Sequence, residues 1–184
     1  MRVGAVVLAA GASTRLDSPK QLAVLGGETL LERAVRVARE AGCSPVVVVL
    51  GASAELIRDS CELKDALLVM NYAWASGMGS SIEVGARALA DVDGCLVMTC
   101  DMPAVSGNHL LELMASGEVT ASSYGARRGV PAYFPASAFG GLRELRGDVG
   151  ARELLRTAKC VELPNGELDV DSVEDLERAR QLFE

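Results

Sequence analysis

Two cations, Arg15 and Lys20, follow a run of small residues, Leu8-Ala9-Ala10-Gly11-Ala12-Ser13-Thr14, near the start of a 184-residue chain. Backbone amides flanked by such side chains can approach an anion closely, and a lysine and an arginine beside them supply the charge that phosphate oxygens need. The spacing fits neither the Gly-x-Gly-x-x-Gly dinucleotide fingerprint nor the Gly-Lys-Ser/Thr phosphate loop. A carboxylate, Asp101, comes just after the apolar run Cys95–Thr99. It can offer Mg²⁺ a hard oxygen ligand, or simply serve as a turn carboxylate ahead of Pro103. His109 is the one histidine, which excludes histidine-cluster metal centres and leaves imidazole-based nucleophilic triads a single candidate. Flanked by leucines, it reads as structural. Cys100 has no histidine or cysteine partner at ligand spacing and reads as a small buried thiol rather than a zinc ligand.

These residues need elements to position them. Short, continuously apolar runs at Val3–Ala9, Val46–Leu50, Leu67–Met70, Cys95–Thr99 and, more weakly, Val119–Ser123 predict strands covered on both faces of a largely parallel sheet. Helical periodicity lies between them. Leu30, Leu31, Ala34, Val35, Val37 and Ala38 share one side of a helix that stops near Gly42; Ser53 caps the next; Ser80 or Ser81 opens a third that runs through Leu89; and Ser106 starts a fourth. Beyond Tyr124 the elements shorten among glycines, with a helix over 149–157, a strand near Cys160–Leu163 and a final helix over 172–183. Ser172 and Asp175 have capping-box spacing at its start. The alternation gives a three-layer αβα fold with a mostly parallel, Rossmann-like sheet. In such a sheet ligands sit beyond the carboxyl ends of the strands, where the loop after Ala9 and Asp101 both fall.

Composition narrows the partners. With 49% hydrophobic side chains, residues 1–184 read as one domain with a substantial core. The formal charge of −7 argues against nucleic acid and anionic membranes as partners. Residues 1–27 nevertheless hold Arg2, Arg15 and Lys20 against Asp17 alone, so the positive charge is local. Five cysteines with no Cys-x-x-Cys pair, and an opening apolar run too short for a leader or a membrane span, fit a cytoplasmic, reduced protein.

Leu8-Ala9-Ala10-Gly11, three residues, Arg15 and then Lys20 resemble the signature of nucleotidyltransferases that activate phosphorylated acceptors with a nucleoside triphosphate. Residues 71–82 (Asn-Tyr-Ala-Trp-Ala-Ser-Gly-Met-Gly-Ser-Ser-Ile), Thr99-Cys100-Asp101-Met102-Pro103, Gly129-Val130-Pro131, residues 147–152 and Asp169-Val170-Asp171 follow in the order found in MobA-like NTP transferases. Molybdenum cofactor cytidylyltransferases are the branch most resembled. The resemblance implies a nucleotide-diphospho-sugar transferase-like fold. It also implies transfer of CMP from CTP to the phosphate of molybdopterin with release of pyrophosphate, with Mg²⁺ as cofactor and Mn²⁺ able to replace it. Lys20, Arg15 and Asp101 would be catalytic. Leu8 to Thr14 with Gly77, Gly79 and Ser80 would bind nucleotide, and Asp101 with Asp171 the metal, Asp169 being the alternative to Asp171. Pro131, Asp148 and Arg152 would face the acceptor, although Asp148 and Arg152, four apart, also suit an ion pair at a helix start.

Members using GTP tend to carry Leu-Ala-Gly-Gly at the first motif, so Ala10 favours CTP. Two positions depart from the family pattern: Asp17 stands where glycine is usual, and is expected to face solvent, and Val130 replaces a histidine. Trp74 reads as packing more than as ligand contact. Guanylyl transfer to the same cofactor, nucleotidyl transfer to a sugar phosphate or methylerythritol phosphate, and a non-catalytic nucleotide-binding or molybdoenzyme chaperone module are the competing readings, the last implying transient contact with a molybdoenzyme.

Overall fold

The computed structural model describes residues 1–13, 15–16, 18–147 and 151–184. In chain order the strands are β1 (Val3–Ala9), β2 (Val24–Leu25), β3 (Glu28–Thr29), β4 (Val46–Leu50), β5 (Leu67–Met70), β6 (Gly94–Thr99), β7 (Thr120–Tyr124), β8 (Arg127–Pro135) and β9 (Lys159–Glu162). The helices are α1 (Leu30–Glu40), α2 (Ala54–Ser60), α3 (Met78–Ala88), α4 (Gly107–Ala115), α5 (Phe139–Glu144), α6 (Arg152–Leu155) and α7 (Val173–Phe183). Seven strands form one sheet in the order β5-β4-β1-β6-β8-β7-β9, and β2 and β3 make a separate hairpin. β5, β4, β1 and β6 run parallel, β8 lies antiparallel between β6 and β7, and β9 returns parallel to β7.

All seven residues of β1 are buried, as a continuous apolar run requires when both faces are covered. Ala5, Val7 and Ala9 join α1, α2 and α4 side chains in one core, whereas Val6, Leu8 and Ala10 join α3, α5 and α6 in the other. Gly85 lets α3 lie close on the sheet, since an added methyl would overlap Val6 of β1 and come within 3.0 Å of Val49 of β4. A third, smaller cluster of Leu25, Leu30, Leu168, Val170 and Ala179 fastens the hairpin to α7.

Several helix starts differ from the sequence expectation. Ser53 occupies the N-cap of α2 with φ of 55°, but its hydroxyl makes no capping bond. α3 begins at Met78 after Gly77, whose φ of 123° suits glycine, so Ser80 and Ser81 lie inside the helix rather than opening it. Their hydroxyls accept instead from Asn71 Nδ2, at 2.8 and 2.9 Å. α6 covers only Arg152–Leu155 of the expected 149–157, and residues 149 and 150 lie outside the described residues. Strand β8 and helix α5 have no counterpart in the sequence reading, because Gly129, Pro131, Gly140 and Gly141 read as breakers. Their placement between antiparallel partners and over the second core overrides that local preference. No helix among the described residues is long and apolar enough to cross a membrane.

Candidate active site

β1 and β6 are adjacent and parallel, so the loop after Ala9 and the residues after Thr99 emerge side by side at their carboxyl ends. Between them lies a cleft of about 190 Å³. Leu8, Ala9, Ala10 and Gly11 form one wall, Thr99, Cys100 and Asp101 the second, and Trp74, Gly77, Met78 and Ser81 the third. Lys20 and Gln21, from a single 3-10 turn at Lys20–Leu22, close the floor. Among the described residues, the amides of Gly11, Ala12 and Ser13 have no backbone acceptor, which leaves donors for an anion.

Lys20 is the hub. Its Nζ lies 2.5 Å from Asp101 Oδ2 and 2.6 Å from Asp171 Oδ1, and Arg15 Nη2 lies 2.6 Å from Asp171 Oδ2. Burial alone would lower the Lys20 pKa, but Asp101 and then Asp171 outweigh it, and the ammonium is held protonated well above its ordinary value. The two cations differ in setting: the Lys20 side chain is 19% exposed and that of Arg15 69%. Asp171 is placed by α7, whose capping box is formed by Ser172 and Asp175, with the Asp171 amide donating to Asp175 Oδ2. Val170 N donates to the carbonyl of Asp101 at 2.9 Å, which joins the two carboxylate-bearing segments directly.

Negative charge is crowded here. The Asp169 carboxyl is pushed up to about 6, first by burial and then by the charges of Asp101 and Asp171. Asp101 is only 9% exposed, and its Oδ1 is buried without a hydrogen-bond partner among the described residues, as is Thr99 Oγ1. A buried carboxylate oxygen left unpaired is costly unless a cation meets it, so the donor set fits a hard divalent ion.

The other sequence candidates fall elsewhere. Gly79 and Ser80 do not line the cleft: a side chain on Gly79 would meet the Gly147 and Arg146 carbonyls, and the Ser80 hydroxyl is spent on Asn71, Ala73 and Gly77. Ser81 and Met78 line it instead. Pro131 is buried within β8, with its carbonyl accepting from Ser122, and Arg152 is exposed on α6, so neither borders the cleft. Thr14, Asp17 and Asp148 lie outside the described residues. Trp74 both packs on the second core and borders the cleft. His109 is buried, and Cys100 is buried with its thiol pushed up, mainly by burial, so neither is poised for chemistry. Gln21 was not among the sequence candidates; its only signal is its place directly after Lys20. A larger open depression of about 790 Å³, bounded by Arg87, Asp91, Asp93 and Arg143, lies at the amino ends of β1 and β6, away from these groups.

The family model of the MobA-like NTP transferase domain matches residues 5–163. The chain belongs to this family. It is 36% identical to nicotine blue oxidoreductase from Paenarthrobacter nicotinovorans, across 96% of this chain and 95% of that protein. Among solved structures it resembles a nucleotidyl transferase from Methanothermobacter thermautotroptrophicus, with TM-score 0.87, 25% identity and coverage of 99% and 97% of the two chains. It also resembles Rv0371c from Mycobacterium tuberculosis H37Rv in a complex with manganese, with TM-score 0.81, 28% identity and coverage of 98% and 99%. The family region thus runs from β1 through β9 and contains the loop after β1, Lys20 and Asp101, while Asp171 lies beyond it.

Proposed function

We propose that residues 1–184 form a single nucleotidyltransferase domain that transfers CMP from CTP to the phosphate of a molybdopterin-type acceptor, releasing pyrophosphate, in the cytoplasm. The observation that carries this reading is Lys20 Nζ held between Asp101 and Asp171 beside a small-residue loop with amides to spare. Transfer at an α-phosphate demands positioning and charge neutralisation more than covalent catalysis, which suits a site without histidine. In this scheme the amides after Gly11 hold the β- and γ-phosphates. Arg15 leaves Asp171 to neutralise the departing pyrophosphate, and Lys20 turns toward the α-phosphate. Ala10, 6% exposed, puts a methyl group on the wall where a glycine would leave space, in keeping with CTP over GTP.

A divalent cation, Mg²⁺ by preference, would be held by Asp101 Oδ1 and by Asp171 once its cations turn to phosphate, and would supply charge neutralisation at the reacting phosphate. Among the described residues no three acidic, histidine or cysteine side chains already form a cage, so phosphate and water oxygens would complete the shell, as Mg²⁺ favours. The manganese complex of Rv0371c supports divalent metal use.

The test is a thermal-shift panel with CTP, GTP, ATP and UTP, each with and without Mg²⁺, followed by pyrophosphate release with a molybdopterin acceptor. Metal-dependent stabilisation strongest with CTP is expected, and none with any triphosphate refutes the reading. Lys20→Ala and Asp101→Ala should each abolish pyrophosphate release in a folded protein. One observation favours a second reading, a redox enzyme on this fold: the near full-length likeness to nicotine blue oxidoreductase. NADH and NADPH in the same panel decide it, since stabilisation by them rather than by CTP would establish the redox alternative.

A further inference from the structure

Gln21 is 1% exposed, and its amide is fully engaged with the loop that follows β1. Nε2 donates to the Ala9 carbonyl at 2.8 Å and to the Gly11 carbonyl at 3.0 Å, while Oε1 accepts from the Ser13 hydroxyl at 3.2 Å. Ser13 Oγ in turn accepts from the backbone N–H of Lys20 at 2.9 Å. Both amide hydrogens are therefore spent on backbone carbonyls two residues apart. In a trans peptide the carbonyl and the following N–H point to opposite sides. Drawing the Ala9 and Gly11 carbonyls onto Gln21 thus turns the N–H groups of Ala10 and Ala12 away from it. Ser13 has φ of 51°, unusual for a residue with a side chain, so the loop needs such a brace to hold its form.

We propose that Gln21 is a positioning residue for the triphosphate. It locks residues 9–13 in the form whose amides meet the β- and γ-phosphates, and through Ser13 it fixes the backbone from which Lys20 extends. The proposal rests on the nucleotidyltransferase reading above. It makes a quantitative demand that a purely structural glutamine does not: the effect of losing Gln21 must grow with the number of phosphates the loop holds.

The experiment measures dissociation constants for CMP, CDP and CTP with Mg²⁺ by calorimetry, for the wild type, Gln21→Met and Ser13→Ala, with melting temperatures alongside. Gln21→Met keeps the length but removes both donors. Ser13→Ala cuts the link to Lys20 at a partly exposed position and keeps the fold accessible should Gln21→Met fail to fold. We expect CMP affinity within about twofold of wild type and CTP affinity at least about tenfold weaker in Gln21→Met, with a smaller loss of the same pattern in Ser13→Ala. An unchanged CTP-to-CMP ratio in the folded variants overturns the proposal, as does an equal loss for all three nucleotides. Failure of the wild type itself to bind CTP would overturn the nucleotidyltransferase reading instead, so the two failures are distinguishable.

Discussion

Asp171 uses both carboxylate oxygens on cations that the proposed reaction needs, one on Lys20 and one on Arg15. Asp171→Asn should therefore tighten CTP binding in the absence of metal, because phosphate no longer competes with a carboxylate, and weaken it with Mg²⁺ present; titration calorimetry in EDTA and in Mg²⁺ reads both signs. His109 gives a second test at this scale. Ser122 Oγ donates to the Pro131 carbonyl at 2.6 Å, so it must accept from His109 Nε2 at 2.7 Å, and burial lowers the imidazole pKa. The folded state thus resists a proton that the unfolded chain takes up near its ordinary value of about 6.5. Stability is full above that pH and falls as pH drops toward the lowered folded value. His109→Gln should flatten this limb of the denaturation midpoint against pH. Asp101 stood out in the sequence because it sits just beyond a strand, and Lys20 because it follows a run of small residues and Arg15. The resemblance grouped Asp171 with Asp101, but the ion pairs of Lys20 and Arg15 with Asp171 and the Gln21 brace were not read, since they depend on three-dimensional proximity rather than spacing.

At the level of elements, local chemistry was readable where side chain and backbone cooperate over three or four residues. Ser172 and Asp175 form the capping box expected from their spacing, and Thr29 with Glu32 forms a second at α1. Ser53, Ser80 and Ser81 carry the same residue type without the same partner, so serine alone misplaces a helix start. β8 shows the opposite failure: its glycine and proline conceal a strand that long-range pairing enforces. Ser172→Ala should cost about 1 kcal/mol in chemical denaturation. Because the same cap receives the Asp171 amide, it should also raise the KM for CTP in a pyrophosphate-release assay more than it lowers kcat.

Across the whole molecule, the apolar cluster of Leu25, Leu30, Leu168, Val170 and Ala179 joins the first part of the chain to the last, and Glu184 Oε1 accepts from Gly26 N at 2.7 Å. Charge is divided in the same way. Residues 144–184 hold 11 acids and 6 bases, against three bases and one acid in residues 1–27. The Arg2 amide bonds Asp93 at the amino end of β1, so Arg15 and Lys20 are the cations of residues 1–27 that meet Asp171 in the acidic last part. Val170, fully buried between these parts, is the lever. Val170→Ala should lower stability by about 2 kcal/mol and, unlike a comparable truncation in the main cores, weaken metal-dependent CTP binding. Hydrogen exchange would show faster opening of α7 than of β1 in that variant.

The ion pair between Lys20 and Asp171 spans 151 residues of chain. During synthesis at about 5 to 20 residues per second, the lysine is made roughly 8 to 30 s before its carboxylate. The parallel strands from β1 to β6 can associate in that interval, but the charged hub cannot close. A nascent or prematurely ended chain would thus hold Lys20 on Asp101 alone and leave the Asp171 side of the hub open, so the arrival of the last helix times its closure.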